Sequence, residues 1–350
     1  MHTFILNKVY PHGVWFYFPV VMVIKSTEAF LILILLGAVG IVVNRLWRHK
    51  GALTLALPMC IYLAIAMSSP LNTGIRHILP VYAFLWPLAA GAAWSLVRKS
   101  YRWACVLLAL VALNAASSIA TFDSHIAYAN VFWGGPSNIH TLLTDSNVDW
   151  GQQLPAVRQY LQQRRTSDCW FSYIAEGETF ARRYGVPCRS LPNLDAIGIT
   201  AWEIVPPEID GPVLISADEL SGYLMGPGPM NPYGDFQALR PSAILEGGVL
   251  VYDGHFRVPR LAALTRRLAL GPRLQADPAG ALATAREVVA LDTENADSWS
   301  LLGRALAATQ RRDEAREAFR KAIAVAESVQ PDYQRDKIPA IGGALSTLSK

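Results

Sequence analysis

Hydrophobic residues crowd into the first third of the chain, in four long runs at residues 29–44, 53–67, 78–97 and 103–121 separated by short polar turns. At about 1.5 Å of rise per residue, the longer runs cross a hydrocarbon core of about 30 Å, and the shorter ones need a few flanking residues. Pro58, Pro80 and Pro87 fall inside these runs, where neighbouring helices can satisfy the carbonyls that a proline frees. The pattern predicts four spanning helices. Ahead of them, Trp15-Phe16-Tyr17-Phe18-Pro19 is an aromatic cluster of the kind found at membrane interfaces, and Lys25 and Glu28 then interrupt the apolar character. Residues 14–27 therefore read as an interfacial or partly re-entrant segment. The N-terminus lacks the basic stretch and small-residue cleavage site of a signal peptide.

After residue 121 the pattern shortens. Residues 122–137 form an irregular aromatic connector, and the short apolar run 139–144 reads as a strand. Residues 155–164 read as a helix with Val157, Tyr160 and Leu161 on one face. A strand over 168–175, a short helix over 176–184 and further strands at 212–216 and 248–252 follow, bounded by Gly and Pro. This alternation predicts a small α/β layer over residues 122–258. The Gly- and Pro-rich stretch 222–234 reads either as a plain surface loop or as a segment draped over a membrane or a partner.

From residue 259 the composition turns to Ala, Leu, Arg and Glu, and Trp299, Leu302, Gly303, Ala315, Phe319 and Ala322 match the spacing of the tetratricopeptide signature. Leu306 stands where an aromatic is usual, and no proline closes the repeat. One repeat length earlier, Ala281, Ala285 and Val288 make a degenerate second copy, with 337–348 available as a cap. The competing reading is a helical hairpin that only covers the domain before it. The expected fold is an integral membrane protein: a four-span α-helical bundle over 1–121, a small extracytoplasmic α/β domain over 122–258, and a tetratricopeptide-like α-helical hairpin within 259–350.

Charge orients the spans. The turn after the first run carries Arg45, Arg48, His49 and Lys50, and the turn after the third carries Arg98, Lys99 and Arg102, whereas the turn between them carries only Arg76. The positive-inside rule puts the two basic turns in the cytoplasm, so both termini and the soluble part lie outside it. The hydrophobic content of 52% agrees with a membrane-rich chain. A net charge of +4 without a basic, aromatic-interleaved stripe argues against nucleic acid as a partner. The four cysteines form no metal-site motif. Cys60 and Cys105 fall in apolar runs, while Cys169 and Cys188 either pair in an oxidising compartment or remain buried thiols.

Candidate chemistry gathers at two places. Arg76 and His77 end the outer turn Asn72-Thr73-Gly74-Ile75-Arg76-His77 just before a span. A guanidinium there suits an anionic lipid phosphate, or else snorkels to headgroups without specificity. Lys25 carries the same two readings. Asp145, Asn147 and Asp149 lie on a loop after the expected first strand, where α/β sheets gather ligands. Two carboxylates so spaced suit a sugar, a divalent metal or acid–base work. The same residues also build turns, and Asp149 with Gln152 has the form of a helix cap, against which Pro155 offers an alternative helix start. No nucleophile elbow, zinc-protease, P-loop or dinucleotide motif is present, and no cofactor motif either, which leaves only a divalent metal open.

Trp15-Phe16-Tyr17-Phe18-Pro19 with Lys25, then Gly74-Ile75-Arg76-His77-Ile78-Leu79-Pro80, then Gly134-Gly135-Pro136, then Asp145-Ser146-Asn147-Val148-Asp149-Trp150-Gly151-Gln152 follow in order. Together they resemble the C-terminal half of bacterial polyprenyl-phosphate-dependent glycosyltransferases of the GT-C type, the dolichyl-phosphate-mannose protein mannosyltransferase-like proteins, over about residues 10–255. The resemblance implies an enzyme of the bacterial cytoplasmic membrane that takes a sugar from a polyprenyl-phosphate carrier on the extracytoplasmic side. It implies Arg76, with Lys25 and His77, as contacts to the carrier phosphate. The family's catalytic carboxylates lie in the first outer loop of the N-terminal half, which has no counterpart here. The resemblance thus implies a truncated chain or the second half of a split enzyme, whose partner subunit supplies that loop. The alternative is a non-enzymatic membrane scaffold that recruits a protein partner through residues 260–350.

Overall fold

The computed structural model describes residues 2–173, 181–195, 198–200 and 203–348. The chain divides into two compact units, the first formed by Thr3–Asp149 with the hairpin tip Glu246–Gly248, the second by Trp150–Leu245 and Val249–Lys350. The connector 122–149, which the sequence groups with the α/β domain, thus belongs to the first unit.

The first unit opens with a β-hairpin, β1 (Thr3–Ile5) antiparallel to β2 (Lys8–Tyr10). Helices α1 (Tyr17–Lys25) and α2 (Glu28–Val43) meet at a bend of 117°. Ser26 leaves the helical conformation at the bend, and Thr27 restarts it by accepting a hydrogen bond from the Phe30 amide at 3.2 Å. Carbonyls exposed by such a break must find donors. Asn130 supplies them, its amide donating to the carbonyls of Val23 (2.6 Å), Ile24 (3.2 Å) and Ser26 (2.9 Å).

Helices α3 (Lys50–Ser68), α4 (Leu79–Val97) and α5 (Tyr101–Ala120) complete the unit. Three helices, α3, the run Ile75–Val97 and α5, are long and apolar enough to cross a membrane, while α1 and α2 qualify only as one bent pair. With 16 residues, α2 alone reaches about 24 Å, short of the hydrocarbon core. On α3, Leu53, Leu57, Ile61 and Ile65 are exposed, and so are Leu108, Val111 and Ile119 on α5. Contiguous apolar surface of this extent marks contact with a membrane or a partner. Inside, Gly37 brings α2 against α4, since a Cβ there would lie 3.0 Å from the Ala89 Cα. Phe30 stacks on Tyr82 and Trp86 across the same interface.

Residues 139–144, expected as a strand, instead lie in and after a 3₁₀ turn, Pro136–Thr141. A short apolar run fits a strand or a buried helical turn equally well by periodicity, and Pro136 at the turn's start favours the latter.

In the second unit, a mixed sheet runs in the order β4 (Arg189–Ser190), β3 (Trp170–Ser172), β5 (Val213–Ser216), β7 (Val249–Tyr252), β6 (Ala243–Leu245). β3 is parallel to β4 and β5, and β7 is antiparallel to both of its neighbours. Helix α6 (Leu154–Arg164) covers one face, where Leu154, Val157 and Leu161 pack with Phe171, Leu214 and Val251. Its N-cap is Gln153 without a side-chain cap bond, and Pro155 sits in its first turn. The helix therefore takes the start beside Pro155 rather than one capped at Asp149. A disulfide joins Cys169 and Cys188 beside β3 and β4. The helix expected over 176–184 lies largely outside the described residues.

The stretch 222–234 is not a surface loop. Asn231 and Tyr233 are fully buried, and Asn231 donates to the Leu220 carbonyl at 2.9 Å while accepting from the Tyr233 amide at 2.9 Å. Gly222, Gly226 and Gly228 take positive φ, and with these turns the segment folds onto itself and satisfies its own polar groups.

Helices α7 (Pro259–Leu270), α8 (Pro278–Leu291), α9 (Ala296–Ala308), α10 (Arg312–Ser328) and α11 (Ile338–Thr347) finish the chain. The α9–α10 hairpin is tight. A Cβ on Gly303 would lie 2.8 Å from the Phe319 ring, and Ala305, Ala315 and Ala322 are fully buried with it. Ile341 of α11 closes the same core.

Candidate functional site

The organising polar cluster of the first unit is built on Asn147. Its side chain is fully buried and fully used: Oδ1 accepts from the Ile75 amide at 3.0 Å, and Nδ2 donates to the Tyr17 hydroxyl at 2.8 Å and to the Thr144 carbonyl at 3.3 Å. Its own carbonyl accepts from the Lys25 ammonium at 2.6 Å. One residue thus ties together the end of α1, the turn before α4 and the connector. The three segments are far apart in sequence, so only long-range packing brings them together.

Next to it, the Ser146 hydroxyl donates to the Thr73 carbonyl at 2.5 Å. The turn Asn72–Gly74 is held from the other side as well. Asn72 Oδ1 accepts from the Val14 amide at 2.6 Å and from the Thr3 hydroxyl at 3.3 Å, which fastens β1 to the same place.

The cations predicted on sequence border this cluster. Lys25 donates to the carbonyls of Asn147 and Ile126. Arg76 and His77 are exposed. The His77 ring meets the Thr73 hydroxyl at 2.8 Å, and its carbonyl accepts from the Tyr62 hydroxyl of α3 at 2.9 Å. Asn147 therefore links Lys25 directly to the backbone beside Arg76. The Arg76 guanidinium, exposed at that turn, is the group whose planar fork suits an anion.

The ligand-loop residues fare differently. Asp145 takes a positive φ of 58° and accepts from the Ser146 amide at 2.5 Å, the local Asx chemistry of a turn. Asp149 is fully buried. Among the described residues, no group of three or more His, Cys, Asp or Glu side chains is placed to hold a metal ion.

Close by in sequence, burial pushes the His140 imidazole below its usual range, against a smaller upward pull from a backbone hydrogen bond with Ser137. Burial first, and then the Asp123 charge, raise the Glu246 carboxyl.

Several supports escaped sequence reasoning. Tyr17 reads as an interfacial aromatic but serves as the acceptor for Asn147, and Asn130 reads as connector but seals the α1–α2 break. In the second unit, Asp218 and Glu219 are buried just past the carboxyl end of β5. A visible signal exists for these two, because Ser216-Ala217-Asp218-Glu219 has the capping-box form and Ser216 Oγ accepts from the Glu219 amide at 3.4 Å.

No family model, curated protein or solved structure matches the chain.

Proposed function

We propose that the chain is a split or truncated subunit of a membrane glycosyltransferase that uses a polyprenyl-phosphate-linked sugar on the extracytoplasmic face of a bacterial cytoplasmic membrane. The observation that carries this reading is the Asn147 cluster. Three of the strings that make up the GT-C resemblance meet there: Tyr17 from the first, Gly74 and Ile75 from the second, Ser146 and Asn147 from the last. Arg76, His77 and Lys25 are the groups that contact the carrier phosphate in this reading. The basic turns at 45–50 and 98–102 support an outward-facing soluble part. In this reading the acidic catalytic loop lies in an N-terminal half outside residues 1–350, on the same polypeptide or on a partner subunit.

The test is transfer of labelled sugar from a polyprenyl-phosphate donor by membranes holding this chain, with and without a co-expressed multi-span partner that carries paired outer-loop acids. Transfer only with the partner, weakened by Arg76→Ala, supports the reading. Transfer by neither preparation removes it.

A second reading, a membrane-anchored tetratricopeptide-like scaffold, is favoured by the helices from Pro259 to Thr347, where Gly303 and Phe319 fit one into the other at the spacing of that signature. Loss of a captured protein partner on deleting 260–350, without any transferase activity, would select it.

A further inference from the structure

The outer face of the α9–α10 hairpin carries a groove of about 580 Å³. Trp299, Leu302 and Leu306 form its apolar wall on α9, and Ala318 lies at its middle on α10. Of the charges on α10, those that line the groove are Glu314 and Glu317, then Arg320 and Lys321. Glu317, Arg320 and Lys321 are exposed. The order Glu317 then Lys321 would suit a pair within the helix, yet among the described residues none of these three makes an ion pair. Lys321 instead lies over the Trp299 ring, 5.9 Å from its centre. Only Glu314 is engaged, by Arg311 at 2.6 Å and Arg286 at 4.0 Å.

We propose that this groove is a two-fold interface, and that its occupant is the same hairpin of a second copy of this chain. The argument is the symmetry of the charge pattern. A two-fold axis perpendicular to α10 sets residues equally far before and after the axis opposite one another. Glu314 and Lys321 have their midpoint between positions 317 and 318, and Glu317 and Arg320 have theirs between 318 and 319. One axis near Ala318 therefore pairs both acids with both bases.

Other occupants fit worse. An acidic segment would leave Glu314 and Glu317 facing like charge, and a basic one would do the same to Arg320 and Lys321, which costs affinity rather than adding it. A surface with equal and opposite blocks is complementary to itself reversed.

The experiment uses the full-length chain in lipid nanodiscs, its mass read by native mass spectrometry. Two variants carry different tags, one with Glu314→Lys and Glu317→Lys, the other with Arg320→Glu and Lys321→Glu. The proposal expects a dimeric wild type, two variants that are each monomeric, and a heterodimer when the variants are co-expressed. The heterodimer guards against misfolding, because a collapsed hairpin would not recover its partner. A monomeric wild type overturns the proposal, as do variants that each dimerise like the wild type or that fail to pair when mixed. A monomeric wild type that holds a different protein, lost from both variants, would assign a foreign partner and overturn it equally.

Discussion

A side chain on Gly74 has nowhere to go: its Cβ would lie 2.2 Å from the hydroxyl oxygen of Ser146, which is hydrogen-bonded to the Thr73 carbonyl. Gly74 also sits at φ +143°, a region that L side chains avoid. Gly74→Ala should therefore lower stability by about 2 kcal/mol or more, read as a drop in thermal midpoint of the detergent-solubilised chain. Gly91, with open space around it on α4, is the control. Gly91→Ala should be neutral or slightly stabilising, and equal effects at the two positions would refute the packing argument.

Asn147→Ala removes the acceptor of the Ile75 amide and the donor to the Tyr17 hydroxyl and the Thr144 carbonyl. A buried group that loses its partner costs about 1–3 kcal/mol, so the expected loss is larger than for Asn138→Ala, whose bonds reach no further than Trp133 and Thr141. Urea or thermal melts of both variants decide the order.

His140 makes acid destabilising. Its folded-state pKa lies below the unfolded value of about 6.5, so the unfolded chain binds the extra proton. Stability is then intact above the unfolded pKa and is lost as pH falls through it towards the lower folded value. Thermal midpoints at pH 8 and pH 5.5 should differ more for the wild type than for His140→Gln. An unchanged pH slope in the variant would acquit the imidazole.

In the second unit, the Cys169–Cys188 disulfide closes a short loop, with a sequence separation of 19. Replacing both cysteines with alanine should cost about 3 kcal/mol on the loop-entropy account. Mass mapping of the non-reduced chain would detect the cross-link directly, and two alkylatable thiols in protein from an oxidising compartment would count against it.

Hydropathy and helical periodicity are local properties, and the elements that depend on them were legible. The apolar runs at 53–67, 78–97 and 103–121 correspond to α3, α4 and α5, and 155–164 to α6. The run 29–44 is the exception that shows the limit. It forms a helix, but its relation to α1 across a 117° bend depends on Asn130, some hundred residues later. The 139–144 segment failed for a similar reason, since six apolar-leaning residues do not specify a period.

The chain's sequence by itself determined which segments are apolar enough to enter a bilayer, where α6 runs, and which cations stand in the turn before α4. Each of these follows from residues within one or two turns of one another. Tertiary structure alone decided what Asp145-Ser146-Asn147 does. Its partners are Tyr17, Lys25, Thr73 and Ile75, and only folding brings a donor within 3 Å of an acceptor some 70 to 130 positions away. A buried amide must satisfy every polar atom it carries, so Asn147, with Ser146 beside it, holds the turn next to Arg76.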